Sequence, residues 1–203
     1  MSKQKQHITK NDIICSILMN NTILPKDLDK IAGILNYNAQ SKNIIKVWTD
    51  GSYNINYKNQ TKGQGGIGFM IEYNDEKIYF GKKVNTTNST DTEIMSLAVA
   101  LSYVLDTFID IETETVVKIY YDAAFICEKL PDVIFEKQSR SPYTNLKSAL
   151  KRCRRHKVNV QFQHVKAHDK DVNNNIVDAI SKYYSGIKLK NKQKQLINKI
   201  IKE

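Results

Sequence analysis

Two hydrophobic periodicities divide this chain near residue 43. Before it, apolar residues recur at helical spacing: Ile13, Ile14, Ile17 and Leu18, then Leu28, Ile31, Ala32 and Leu35 behind Pro25, a residue suited to the first position of a helix. The pattern predicts a small helical hairpin, with NAQSKN as the linker that follows it. From Ile44 the period shortens. Strands are expected over Ile44–Asp50, Ile67–Tyr73 and Lys77–Val84, the last two joined by an Asn74-Asp75 hairpin turn. A helix comes next, on the stripe Ile94, Leu97, Ala98, Leu101 and Leu105, with Thr90 or Asp91 as its cap. Beyond it the pattern gives a strand over Val116–Tyr121, a short helix through Phe125 and Leu130, and a helix over Tyr143–His156. A strand over Val158–His164 and a helix over Val172–Tyr184 complete the series.

Three strands in a meander, then strands alternating with helices, imply an α/β fold: one five-stranded mixed sheet flanked by helices, with a small N-terminal helical appendage. The expected division is residues 1–43, the helical hairpin; 44–185, the sheet domain; and 186–203, a basic tail with helical character.

Composition narrows the class. Of 203 residues 41% are hydrophobic and 26% charged, the balance of a soluble globular chain. Cys15, Cys127 and Cys153 are odd in number and form no CxxC pair, so a reducing, cytoplasmic setting is expected. The apolar run Ile13–Met19 is too short to cross a bilayer and no cleavage pattern follows it, so no membrane association is expected. Net charge is +10, unevenly placed: +3 over residues 1–43, −4 over 44–146 and +11 over 147–203. An acidic centre beside a basic flank suits a polyanion-binding protein with a cation site, and equally a lysine-rich solvated surface.

The acidic centre contains the candidate chemistry. The runs KVWTDGSY and VKIYYDAAF each turn from apolar residues to a carboxylate, Asp50 and Asp122. Glu93 falls in the first turn of the helix carrying Leu97, and Asp178 lies in NNNIVDAISKYY. Taken singly, each has an ordinary role as a turn, cap or helix-end residue. If the first and fourth strands are neighbours, however, Asp50 and Asp122 emerge side by side, and two such carboxylates need a cation or a shared proton. Oxygen-only ligands favour Mg²⁺ or Mn²⁺ over zinc. Two ions about 3.5–4 Å apart can serve a phosphodiester displacement. His168, ten residues before Asp178 in VKAHDKDVNNNIVD, is placed for proton transfer beside such a site or for a plain surface role.

The ordered set TDGS, TTNSTDTE, YYD and VKAH with an Asp ten residues later resembles the type 1 ribonuclease H family over roughly Ile44 to Tyr184. IYYD with FQHVKAHDKD is most similar to the bacterial group often fused to a viroplasmin-like domain. The resemblance implies the ribonuclease H fold and an endonuclease that hydrolyses the RNA strand of an RNA–DNA hybrid, leaving a 5′-phosphate and a 3′-hydroxyl. It implies two Mg²⁺ ions, replaceable by Mn²⁺, on Asp50, Glu93, Asp122 and Asp178, with His168 as an auxiliary catalytic residue. It also implies hybrid contacts by Gly51, Ser52 and Asn56, by Asn88, Ser89 and Thr90 as a group, and by Asn174. Reading of 2′-hydroxyls would separate RNA from DNA.

Four departures stand out. TTNSTDTE is one residue longer than the usual spacing. Ala123 and Ala124 follow Asp122 where many members carry polar residues. The basic protrusion of some members is missing between Leu130 and Tyr143, and residues 1–43 lack the aromatic, glycine-bearing look of a viroplasmin-like domain. Duplex grip is then expected from Lys151, Arg152, Arg154, Arg155, Lys157 and the tail lysines, unless the tail is only solvated. Residues 1–43 are open to core packing, substrate contact or a protein partner, and a monomer is expected. Two other readings stay in view: a resolvase or exonuclease of the same superfamily, and a non-catalytic hybrid-binding module.

Overall fold

The alternation that begins at Ile44 folds into a sheet because its two parities face different helices. The computed structural model describes residues 43–56, 63–109, 115–126, 141–165 and 171–202. Within them lie strands β1 (Asn43–Asn54), β2 (Gln64–Tyr73), β3 (Glu76–Val84), β4 (Thr115–Tyr121) and β5 (Asn159–His164). The helices among these residues are α1 (Ser89–Thr107), α2 (Ser141–Arg155), α3 (Val172–Ser185) and α4 (Asn191–Lys202). The expected hairpin over 1–43, all but its last residue, and the expected short helix beyond Ile126 lie outside the described residues.

The strands run in the order β3-β2-β1-β4-β5, antiparallel across β3, β2 and β1 and parallel across β1, β4 and β5. Asn74 and Asp75 turn β2 into β3 with φ of 50° and 66°, the left-handed pair that a tight hairpin needs and that Asn and Asp tolerate best. The mixed sheet expected from the element order is therefore present, and β1 and β4 are neighbours as the two acids required.

On one face Ile45, Val47, Phe69, Ile71, Val117 and Ile119 meet Leu97 and Leu101 of α1 and Leu146 and Leu150 of α2 in the main core. On the other, Trp48 and Met70 meet Val177 of α3, and Trp48 stacks on Tyr120. Helix α3 lies almost directly on β2. A Cβ at Gly66 would come within 2.2 Å of the Ser181 carbonyl oxygen and 2.4 Å of the Ser185 nitrogen, both backbone atoms, so only glycine admits the helix here. The glycines clustered at the start of β2 thus set the depth at which α3 sits.

The structure differs from the sequence expectation in several details: β1 runs past Asp50 to Asn54, and β2 begins at Gln64 and not at Ile67. The cap of α1 is Asn88, whose side chain accepts the Asp91 N–H at 2.8 Å, in place of Thr90 or Asp91. The last basic stretch forms α4, anchored by buried Ile197 with Leu189, Leu196 and Ile200 against Ile176, Ala179 and Ile180 of α3. Burial of one isoleucine contributes about 1.5–3 kcal/mol. Lys192, Lys194 and Lys199 of this helix stay outward because the apolar residues take the inner stripe.

Candidate active site

The parallel pairing of β1 with β4 ends at Trp48 and Tyr120, while β1 continues beside β2 as far as Asn54. Asp50, paired with Gly68 across β2, is therefore inside a strand, yet it already lies past the end of its β4 neighbour. Asp122 follows the last residue of β4. The carboxylates come out just past the point where the parallel pairing of β1 and β4 ends, on the C-terminal side of that pairing, the side where open α/β sheets bind their ligands.

Glu93 joins them from the first turn of α1. Gly51 makes this possible: a Cβ there would fall 2.4 Å from the Glu93 nitrogen, so the helix end rests against bare backbone. The Gly51 N–H donates to Glu93 Oε2 at 3.0 Å. Carboxylate oxygens of Asp50, Glu93 and Asp122 lie within 4.8 Å of one another.

Asp50 and Glu93 are buried, at 5% and 8% exposure. Burial, opposed by a hydrogen bond from Ser181 and reinforced by the charge of Asp122, pushes the Asp50 carboxyl up to about 7. Burial and the charges of Asp50 and Asp122 push Glu93 well above the ordinary carboxylate range, against the N–H of Gly51. The site is built at an electrostatic cost that a proton or a cation removes.

Ser181 is the site residue that sequence reasoning missed. Fully buried on α3, it donates its hydroxyl to Asp50 Oδ2, and its oxygen lies 2.8 Å from Ser52 Oγ. The Ser52 side chain is thus spent inside the protein. The only signal in the sequence was a serine among the apolar residues of IVDAISKYY, three after Asp178. Asn174 gives its Nδ2 hydrogen to Asp122 Oδ2 at 3.1 Å, and its Oδ1 is buried with no hydrogen-bond partner among the described residues.

Asp178 is placed differently. It lies on α3 close enough for its charge to raise both Asp50 and Glu93, but it is not one of the three clustered acids. Its carboxylate accepts from Lys182 Nζ at 2.6 and 2.9 Å and from Gln193 Nε2 of α4 at 3.0 Å. Asn88 is occupied as the α1 cap, Ser89 is exposed beside it and half-buried Thr90 follows. Asn56 is exposed in the turn after β1, its N–H donating to Asn54 Oδ1 at 3.1 Å. His168 lies outside the described residues.

The sequence of residues 42–186, well over half of the chain, matches the RNase H family. The chain belongs to the RNase H family. It is accordingly a ribonuclease H hydrolase, and its five-stranded sheet is the ribonuclease H fold. Comparison with curated proteins finds no match. Among solved structures, the N-terminal RNase H domain of Rv2228c from Mycobacterium tuberculosis is 12% identical, with a TM-score of 0.52 over 71% of this chain and 95% of that one. LC9-RNase H1, a type 1 RNase H with the type 2 active-site motif, is 15% identical, with a TM-score of 0.52 over 71% of this chain and 72% of that one. LC11-RNase H1, solved in complex with RNA/DNA hybrid, is 15% identical, with a TM-score of 0.51 over 68% of this chain and 97% of that one. Identities this low speak for the shared fold, and α4 lies beyond the residues that the family match covers.

The donor set fits a hard divalent cation. Every ligand atom that the cluster offers is a carboxylate oxygen, from Asp50, Glu93 and Asp122. The acidic cluster could hold a metal ion through Asp50, Glu93 and Asp122.

Proposed function

We propose that this ribonuclease H is an endonuclease that hydrolyses the RNA strand of RNA–DNA hybrids, using two Mg²⁺ ions and leaving a 5′-phosphate and a 3′-hydroxyl. The observation that carries the reading is the meeting of Asp50, Glu93 and Asp122 at one end of the sheet. Mn²⁺ is expected to substitute, since the same oxygen ligands suit it. When bound, the ions neutralise charge at the scissile phosphate and lower the pKa of the attacking water.

The chain itself supplies the frame. Gly51 holds Glu93 by its N–H, Ser181 holds Asp50, and Asn174 holds Asp122. Each carboxylate thus meets a neutral donor that fixes its direction and leaves its charge uncompensated. Asp178 is assigned to the second ion and His168 to proton transfer at the product phosphate. Gly51, Ser52, Asn56, Asn88, Ser89, Thr90 and Asn174 are assigned to the hybrid, with Ser52 acting through its backbone because its hydroxyl faces Ser181. A monomer acting in the cytoplasm completes the proposal.

The test uses end-labelled RNA annealed to DNA, with Mg²⁺ or EDTA, for wild type and Asp122→Asn. Single-stranded RNA, duplex RNA, duplex DNA and branched DNA run beside it. Cuts in the hybrid RNA alone, dependent on Mg²⁺ and lost on substitution, are expected. Binding without cleavage would replace the reading with a hybrid-binding module. Cleavage of branched DNA would replace it with a resolvase.

A further inference from the structure

The C-terminal helix reaches the acidic site through one side chain. Gln193, in the first turn of α4, uses both ends of its amide. Its Oε1 accepts the Lys190 N–H at 3.0 Å, the contact that closes the start of the helix. That fixes which way the amide points, so its Nε2 faces Asp178 Oδ2 at 3.0 Å. Lys182, one turn along α3, spans both oxygens of the same carboxylate, at 2.6 Å from Oδ1 and 2.9 Å from Oδ2, so Oδ2 accepts from both side chains. Asp178 is 19% exposed and held from two helices.

The contact depends on packing far from the acids. Gln193, Leu196, Ile197 and Ile200 share one stripe of α4, and Ile197 is buried against α3. If α4 moved, the Gln193 amide would move with it. The three clustered acids have their donors within the family-matched residues 42–186, whereas Gln193 lies beyond them. Asp178 is therefore held twice, by Lys182 within the family-matched residues and by Gln193 of α4 beyond them.

We propose that Gln193 is a positioning residue: carried by α4, it fixes the Asp178 carboxylate beside the acidic cluster and so sets the affinity of the site for a divalent ion. The inference rests on the proposed function insofar as Asp178 serves the cation site. It goes beyond that reading by making the C-terminal helix part of the site. Hydrogen-bond partners that orient metal ligands typically matter about 10- to 100-fold in metal affinity or activity.

The experiment uses the full-length chain and Gln193→Met, which keeps the length of the side chain and removes both polar contacts. Mn²⁺ binding is measured calorimetrically without nucleic acid. Mg²⁺ dependence is measured at saturating hybrid, together with KM for the hybrid and the melting temperature. The expected result is a rise of roughly tenfold in the Mn²⁺ Kd and in the half-saturating Mg²⁺ concentration, with KM for the hybrid unchanged. Ile197→Ala, which loosens α4, should reproduce part of that shift, and the double variant should add little to Gln193→Met, because both act through one contact. A lowered melting temperature with wild-type Mn²⁺ and Mg²⁺ curves would make Gln193 a helix cap only and overturn the inference. The calorimetric arm contains no hybrid, so failure of the wild type to cleave would sink the functional reading while the isotherms still decide Gln193.

Discussion

Gly51 donates its backbone N–H to Glu93 Oε2 at 3.0 Å, so the residue that follows one candidate metal ligand orients another. The same glycine lets the first turn of α1 lie against β1, because nothing projects from its Cα. Strand and helix are locked together at the point where their carboxylates must converge, and the absence of a side chain is what permits it.

Gly51→Ala should therefore damage both stability and chemistry. The added Cβ would meet backbone atoms of Thr92 and Glu93 at 2.4 Å, and backbone cannot swing aside as a flexible side chain can. A loss of about 3 kcal/mol is expected in urea unfolding, at the upper end of the usual range for overpacked core sites because the clash is with backbone. Hybrid cleavage per folded molecule should fall at least about 100-fold, as misplacement by roughly 1 Å does in positioned sites. Wild-type cleavage by a folded Gly51→Ala protein would show that Glu93 needs no such placement.

The raised carboxyls predict how metal and protons compete. With Asp50 at about 7 against an ordinary value of 3.8, the folded chain holds a proton between those limits that the unfolded chain has lost. The stabilising contribution of Asp50 in the metal-free protein is thus complete at low pH and is lost as pH rises through about 7. Below pH 7 a cation must displace that proton, so Mg²⁺ affinity should weaken as pH falls, and binding should release protons. Calorimetry in buffers of different ionisation enthalpy measures the release directly. Asp50→Asn should raise the metal-free melting temperature at pH 8 while abolishing Mg²⁺ binding; a drop in melting temperature would argue against uncompensated charge at this position.

Ser181→Ala removes a hydrogen bond that lowers the Asp50 carboxyl. That carboxyl should then rise further, moving the acid limb of the pH–rate profile to higher pH. For a rise of about one unit, cleavage at pH 7 should drop roughly fivefold while activity at pH 9 recovers most of its wild-type value, because the ionised fraction at pH 7 falls from about one half to about one tenth. An equal loss at both pH values would assign Ser181 to packing instead.

Salt dependence should report which basic surface meets the hybrid. The α2 cluster ends where β5 begins, at the opposite end of the sheet from the acids, one strand length or about 15–20 Å away. Arg152 is also engaged by Asp106. Lys190, Lys192 and Lys194, all exposed, flank Gln193 and hence Asp178. Replacing those three by Gln should weaken hybrid binding and reduce the slope of log K against log salt by about 0.9 for each phosphate no longer neutralised. The matched change of Arg154, Arg155 and Lys157 should alter the slope less. Fluorescence anisotropy at several salt concentrations would separate the two surfaces, and an equal effect of both sets would mean that α4 has no special place in binding.

Much of the fold is written in local patterns. Alternation over β1 to β5, the helical stripe of α1 and the Asn74-Asp75 turn are properties of short segments, and each of these elements is present, although β1 and β2 extend beyond their expected bounds, to Asn54 and from Gln64. Asp50 and Asp122 were legible because an apolar strand that turns abruptly to a carboxylate is a local event. Tertiary structure alone decided that β1 runs on to Asn54 beside β2 while β4 stops, which leaves Asp50 free of its β4 neighbour within a continuous strand. It alone brought Ser181 to Asp50 and Gln193 to Asp178, pairs separated by 131 and 15 residues. Periodicity says which face of an element is apolar, because that depends on residues three or four apart. Which polar atom lies across from which depends on how deeply α3 sits on the glycines of β2 and how α4 is anchored by Ile197, and those depths are set by packing between distant segments.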